Sequence, residues 1–354
     1  MTSDHGDPAL STLLLPFATG QLAWPQAGGA LFLRARAGAA LREVAGPGLR
    51  CEQSFKPAAD ALVRNGWTLC SVEEADAARC ALVLVLPPRQ RQEARALLAR
   101  AVACCAPGGI VVASLPNDEG AKSSESDLKA LAGLAGSLSK NHCRVYWSVV
   151  DPQHCDAALL ASWREGDAPR PILEERFVSR PGVFAWDRID PASALLAGHL
   201  PATLAGSAAD LGCGFGYLSV ELLQRCPGIT SLDLYEAEAR ALQLARRNLA
   251  PFAARAALAF EWHDVTAGLP RRYDVIVTNP PFHAQGSMDR PDIGRAFIVA
   301  AANALNPGGR LWLVANRHLP YESVLDASFG TVRIVTQAQG FKIIEAVKAS
   351  GARR

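Results

Sequence analysis

The residues best equipped for chemistry sit where apolar runs end. In "DLGCGFG", residues 210–216, Asp210 precedes Gly212, Gly214 and Gly216. Glycines at this spacing allow positive φ and let a ligand approach the backbone, and the apolar helix face that begins at Leu218 supplies oriented N–H groups. The next apolar run, "TSLDLYE", ends at Glu236, about where an acid would take the hydroxyls of a ribose. A third, "LAFEWHD", is expected to end at Asp264, a candidate partner for a purine amine. The fourth, "VIVTNPPFH", stops in an amide, two rigid residues and an aromatic ring: Asn279, Pro280, Pro281 and Phe282. Two prolines remove two backbone donors, so a sheet ladder cannot continue past Asn279.

Singly these signals are weak. Dinucleotide folds use similar glycine loops, an acid such as Asp264 also serves turns, and "NPPF" alone reads as a structural turn with Phe282 in the core. His283 reads either as a loop histidine or as a group that takes a proton or touches RNA. Four successive strand ends are different, because in an open parallel sheet they share the edge where ligands bind.

The elements that must hold these residues repeat along the chain. Residues 80–116, "CALVLVLPPRQRQEARALLARAVACCAPGGIVVASLP", and residues 273–316 both read as apolar strand, Pro-Pro, loop, Ala-rich helix, Pro-Gly-Gly and second apolar strand. The Pro-Gly-Gly is expected to stop the helix, and a strand–helix–strand unit of this length implies parallel strands. Where the second copy has Asn279-Pro280-Pro281, the first has Leu86-Pro87-Pro88. The pattern predicts two α/β domains of common origin, 1–165 and 166–354, with the chemical equipment kept only in the second; the break falls within 151–182. In the second, Asp190 is the expected N-cap of a helix over Ala192–Leu200, with Pro191 at its first position. "GRLWLVAN" is expected to be a fifth strand, "YESVLDASFG" a helix, and "TVRIVTQAQGFKIIEAVKA" two strands around Gln339-Gly340. The loop "HAQGSMDRPDIG" is expected to order on substrate binding.

Composition limits the partners. A net charge of +2 over 354 residues does not announce nucleic-acid binding. A local basic face remains open at Arg89, Arg91, Arg95 and Arg100, or at Arg240, Arg246, Arg247 and Arg255. Nine scattered cysteines argue for reduced thiols in a cytoplasm. The pairs His142-Cys143 and His154-Cys155 have poor spacing for zinc, and no metal is expected. No signal peptide or membrane span is read from the chain.

At this point the motifs resemble a known family. "DLGCGFG" followed by Glu236 looks like the class I S-adenosylmethionine-dependent methyltransferase fold, a seven-stranded, mostly parallel sheet with helices on both faces. "TNPPFH" is similar to the N/D-P-P-F/Y motif of its amino-methylating branch. "PGVFAWDRID", "DLGCGFGYLSVEL", "VTNPPFH", "VANRHLPY" and "GFKIIEAVKA" together resemble the ribosomal RNA guanine-N2 methyltransferases of the RsmC/RlmG kind, whose N-terminal domain is a degenerate methyltransferase. The resemblance implies Asp210, Gly212, Gly214 and Gly216 at the methionine end of S-adenosylmethionine, Glu236 at its ribose and Asp264 near its adenine. It implies Asn279, Pro280, Pro281 and Phe282 around the target base. S-Adenosylhomocysteine would be the product, ribosomal RNA or a ribosomal subunit the partner, and the enzyme a cytoplasmic monomer.

The chemistry suits those residues. A purine exocyclic amine is a poor nucleophile because its lone pair is delocalised into the ring. Acceptors on its two hydrogens, the Asn279 side-chain oxygen and the Pro280 carbonyl, would turn it toward tetrahedral geometry; the prolines aim that carbonyl beforehand. Phe282 would stack on an extruded base. A small-subunit guanine is the leading expectation. A large-subunit guanine, a DNA adenine, a protein glutamine, a non-catalytic RNA-binding assembly factor and a dehydrogenase stay open as alternatives.

Overall fold

The protein is described by a computed structural model that covers residues 6–281 and 291–350. The chain divides into two compact units, Met1–Ala168 and Pro169–Arg354. In the first, strands β1 (Ala30–Leu33), β2 (Leu49–Glu52), β3 (Thr68–Leu69), β4 (Cys80–Val85), β5 (Cys105–Pro116), β6 (Gly136–Lys140) and β7 (Cys143–Val149) make one sheet. Its order is β3-β2-β1-β4-β5-β7-β6. In the second, β8 (Arg170–Ile172) and β9 (Phe177–Ser179) pair by themselves. The remaining strands are β10 (Ala205–Leu211), β11 (Gly228–Glu236), β12 (Ala257–Trp262), β13 (Tyr273–Thr278), β14 (Leu305–Asn316), β15 (Thr331–Ala338) and β16 (Phe341–Val347). They order as β12-β11-β10-β13-β14-β16-β15, the same permutation as the first sheet. In each seven-stranded sheet only the strand at the sixth place, β7 or β16, runs antiparallel to its neighbours. Both units therefore have the seven-stranded methyltransferase fold expected from the motifs.

The central strands β10, β13 and β14 are buried on both faces over their C-terminal halves, which explains their continuous apolar runs. Ala208, Val275, Val277, Trp312 and Val314 face a core built with the helices Pro191–His199, Tyr217–Arg225 and Ala239–Leu249. Their neighbours Ala209, Ile276, Leu311, Leu313 and Ala315 face a second core with helices Pro291–Ala304 and Glu322–Ser328. The strict alternation is the two-residue period of a strand. Because β10 to β13 are mutually parallel, their C-terminal ends open on one edge.

Two local expectations need correction. The repeated helices end at Cys104 and Ala304, ahead of the Pro-Gly-Gly, which instead opens β5 and β14 with a register irregularity against β4 and β13. A proline disfavours helical backbone in the residue before it, so the helix stops upstream. β12 ends at Trp262, not Asp264. There the Trp262 indole donates to the Ala237 carbonyl and the His263 N–H to the Glu236 carbonyl, which closes the ladder.

Candidate active site

The glycine turn hangs from β11. The N–H groups of Gly212 and Cys213 both donate to the Tyr235 carbonyl, and the Gly214 N–H donates to Glu236 Oε2 at 2.8 Å. Glu236 Oε1 accepts from the Glu238 N–H at 2.9 Å, so one half-buried carboxylate braces the turn and the start of the following helix. Gly212, Gly214 and Gly216 all have positive φ, but they do different work. A Cβ on Gly214 would meet nothing within 4 Å, so this backbone faces open space. A Cβ on Gly216 would lie 2.6 Å from Leu249 Cδ1; this glycine lets the turn pack on the helix Ala239–Leu249. From that helix Asn248 donates to the carbonyls of Phe215 and Val178 and accepts from the Val178 N–H, anchoring the turn to β9.

Asp210 lies at the floor, fully buried, with Ser219 Oγ donating to it at 2.6 Å. Burial pushes its carboxyl up to about 7, and Glu236 pushes the same way, against the Ser219 hydrogen bonds. Burial also raises Glu236, opposed by the Glu238 and Gly214 N–H groups. Cys213 lines the same cleft, and burial with the two carboxylates holds its thiol protonated, so it is no nucleophile.

The Asn-Pro-Pro segment joins this turn directly. Thr278 Oγ1 donates to the Leu211 carbonyl at 2.7 Å, tying the end of β13 to the end of β10. Asn279 Nδ2 donates to Asp190 Oδ2 and to Ser193 Oγ, each at 2.9 Å. Both amide hydrogens are thereby used. Asn279 Oδ1 is buried and has no hydrogen-bond partner among the described residues, which is costly unless something else supplies a donor. One cleft of about 440 Å3, counted out to open solvent, is bounded by Asp210, Gly212, Gly214 and Asn279 together with Asp190, Ser193 and Phe184. Phe184 is 66% exposed, the largest such exposure among the large hydrophobic side chains of the described residues.

Asp210, Gly212, Gly214 and Asn279 are thus brought together. Glu236 acts beneath them, and Gly216 is a packing position outside the lining. Pro280 is buried and Pro281 exposed. Asp264 caps the turn Val265–Ala267, its Oδ1 accepting from the N–H and hydroxyl of Thr266 at 2.9 and 2.6 Å. Phe282, His283 and residues 284–290 of the loop expected to order on substrate binding lie outside the described residues. Sequence reading missed Phe184, Ser193 and Asn248; only Asp190 carried a signal, as a helix cap. The arginine clusters are largely committed within the fold: Arg91 and Arg95 to Asp127, Arg100 to Glu52 and Asp76, Arg240 to the Pro181 carbonyl, Arg246 to that of Phe260, and Arg255 to those of Leu223 and Cys226.

The first unit shows the same edge without the equipment. β1 pairs with β4 as β10 pairs with β13, Leu33 opposite Val85 and Leu211 opposite Thr278. Arg34 therefore stands at the position of Gly212, also with positive φ, and Leu86 at that of Asn279. Arg34 Nη1 donates to the Leu86 carbonyl, so a long side chain crosses the place that is open in the second unit. Gln53 takes the place of Glu236, with Oε1 accepting from the Phe55 N–H and Nε2 donating to the Ala35 carbonyl.

Comparison with known proteins gives the family. The Methyltransferase small domain family matches residues 174–345. Ribosomal RNA small subunit methyltransferase C of Yersinia enterocolitica is 32% identical over 271 residues, covering 76% of this chain and 75% of that protein. The chain belongs to the ribosomal RNA small subunit methyltransferase C family. Another member, from Erwinia tasmaniensis, is 31% identical over 278 residues, 78% of either chain. The solved T. thermophilus 16S rRNA N2 G1207 methyltransferase (RsmC), in complex with AdoMet and guanosine, superposes with a TM-score of 0.79 at 24% identity, over 98% of this chain and 93% of that one. That likeness shows that the small subunit methyltransferase C fold extends through both units.

Proposed function

We propose that the chain transfers a methyl group from S-adenosylmethionine to the exocyclic 2-amino group of a guanine in small-subunit ribosomal RNA, in the cytoplasm. One observation carries the reading: the buried Asn279 Oδ1, without a partner among the described residues, in the cleft that holds the glycine turn. An acceptor fixed in that way calls for a donor such as an amine hydrogen.

The residues fit the methyl donor. The open backbone at Gly214 and the acids Asp210 and Glu236 would hold its methionine and ribose parts, while Asp264 would approach the adenine only through whatever acceptor capacity Thr266 leaves. When bound, S-adenosylmethionine supplies a methyl group activated on a sulfonium. The protein then has to position and polarise, not to abstract a proton with a strong base: the nitrogen would become cationic on methylation and acidic enough to lose its proton to water. Asn279 Oδ1 would accept one hydrogen of the guanine amine and the Pro280 carbonyl the other, drawing the nitrogen lone pair out of the ring. Pro281 would fix the turn, and Phe282 would stack on the base. In the first unit Arg34, Gln53 and Leu86 leave no comparable cradle, and we assign it no cofactor.

Among the described residues no helix is long and apolar enough to cross a membrane, in keeping with a ribosomal substrate. The test supplies labelled S-adenosylmethionine with unmethylated small subunits, naked small-subunit RNA, DNA and protein in separate reactions. N2-Methylguanosine in the RNA, identified by nucleoside mass spectrometry, is the expected product. Label confined to DNA or protein refutes the assignment.

A further inference from the structure

An amide has two ends of nearly equal shape and opposite polarity. With its NH2 turned into the cleft, Asn279 would repel a guanine amine instead of accepting from it. Something must choose the end. The structure assigns that choice to Asp190: its carboxylate, assisted by Ser193, is a positioning residue that fixes the Asn279 amide with its oxygen toward the cleft and polarises it. The inference rests on the reading of Asn279 as acceptor for the target amine.

The geometry leaves no second arrangement. An ionised carboxylate only accepts, so Asp190 Oδ2 at 2.9 Å can face Nδ2 but not Oδ1. Ser193 Oγ, also at 2.9 Å, takes the other amide hydrogen. Inverting the amide would set two acceptors against each other and strand two N–H donors. Asp190 is itself fixed, because the same Oδ2 accepts the Ser193 N–H at 2.8 Å as the N-cap of the helix Pro191–His199. Pro191 has no N–H to compete for it. The rigid start of that helix is thus coupled to the end of β13.

The charge adds a second effect. A carboxylate bonded to Nδ2 favours the amide resonance form with negative charge on oxygen, and chains of hydrogen bonds strengthen one another in this way. Oδ1 becomes a better acceptor just as the attacking nitrogen turns positive. Such help grows in the transition state, so it belongs in kcat and not in substrate affinity.

Asp190→Asn separates this role from capping, since asparagine caps helices as well as aspartate does. The variant can meet Asn279 with either end of its own amide, so the orientation is no longer imposed. Removing one preorganised group directly costs about 100–1000-fold; acting through Asn279, Asp190→Asn is expected to lower kcat about 10–100-fold. The KM for unmethylated small subunits and the Kd for S-adenosylmethionine, by calorimetry, are expected to stay within about threefold. Asp190→Ser, a capping residue too short to reach Asn279, is expected to lose at least as much. NMR of the Asn279 side-chain NH2 should show two exchange-protected protons in the wild type and loss of that protection in Asp190→Ser. Wild-type kcat in Asp190→Asn, alongside an inactive Asn279→Ala, overturns the positioning role but keeps Asn279 as the acceptor. A fall in cofactor affinity that matches the fall in kcat overturns it as well, in favour of a structural role. If Asn279→Ala itself turns over normally, the acceptor reading fails and takes this inference with it.

Discussion

Replacing Glu236 by glutamine probes the cradle from below. The two oxygens of Glu236 accept from Gly214 at 2.8 Å and Glu238 at 2.9 Å, and a glutamine can supply only one of these acceptors. The first unit shows which one survives. Gln53 keeps the bond from the N–H two residues on, at Phe55, and turns its NH2 to a loop carbonyl, that of Ala35. At position 236 the NH2 would then face the Gly214 N–H, donor against donor. A hydrogen bond to a charged acceptor contributes about 1.5–3 kcal/mol, and a stranded buried N–H costs a similar amount. In the free protein part of this is returned, because burial already raises the Glu236 carboxyl and penalises its charge. The melting temperature should therefore move little. Affinity has no such offset, since the turn and any ribose contact both depend on the acid. A loss of about 1.4–2.8 kcal/mol, close to the value of that one hydrogen bond, corresponds to roughly 10–100-fold weaker binding of S-adenosylmethionine. Calorimetric titration with S-adenosylmethionine and S-adenosylhomocysteine reads the affinity, and a thermal melt reads the fold. Binding within about threefold of wild type would refute the cradle argument. A lowered melting temperature with intact affinity would make Glu236 a structural brace alone.

Gly216→Ala should destabilise the protein by about 2–4 kcal/mol, because its Cβ would press on Leu249 in a backbone that disfavours side chains. Gly214→Ala should cost only about 1–2 kcal/mol in stability, its Cβ meeting nothing, yet weaken S-adenosylmethionine binding at least about tenfold. Melts and titrations on both variants check the division, and the reverse order would sink it. Asp210 makes stability depend on pH with a definite sign: holding its carboxyl near 7 instead of 3.8 means that the folded state binds the extra proton between those values. The resulting penalty is absent below about pH 4, grows as pH rises to about 7 and then levels at no more than roughly 4 kcal/mol. Asp210→Asn should accordingly gain stability over wild type from pH 4 to 7 and hold that gain above; chemical denaturation across this range measures it, and a gain that shrinks with rising pH contradicts the assignment.

What the sequence shows of this site is divided by distance along the chain. Strand ends at Leu211, Glu236 and Thr278 could be read because an apolar run broken by a polar residue is a local pattern, and the cap at Asp190 because aspartate before proline at a helix start is another. Asp264 misled because β12 is closed by the Trp262 indole and the His263 N–H, both bound to residues some 25 positions upstream. Gly214 and Gly216 look alike in "GCGFG", and only the return of the helix at Ala245 and Leu249 makes one a cradle and the other a packing surface. The arginine clusters could not be read as basic faces or internal ties until Asp127, Glu52 and Asp76 were seen beside them. The second role of Asp190 lies furthest from view, since Asn279 is 89 residues away. That pairing exists because the helix after Asp190 leads into β10, and the sheet order sets β10 beside β13. Local pattern thus determines which side chains stand at the edge, whereas strand order determines which of them meet. The polarity of the Asn279 amide, on which the proposed chemistry turns, follows only from the meeting.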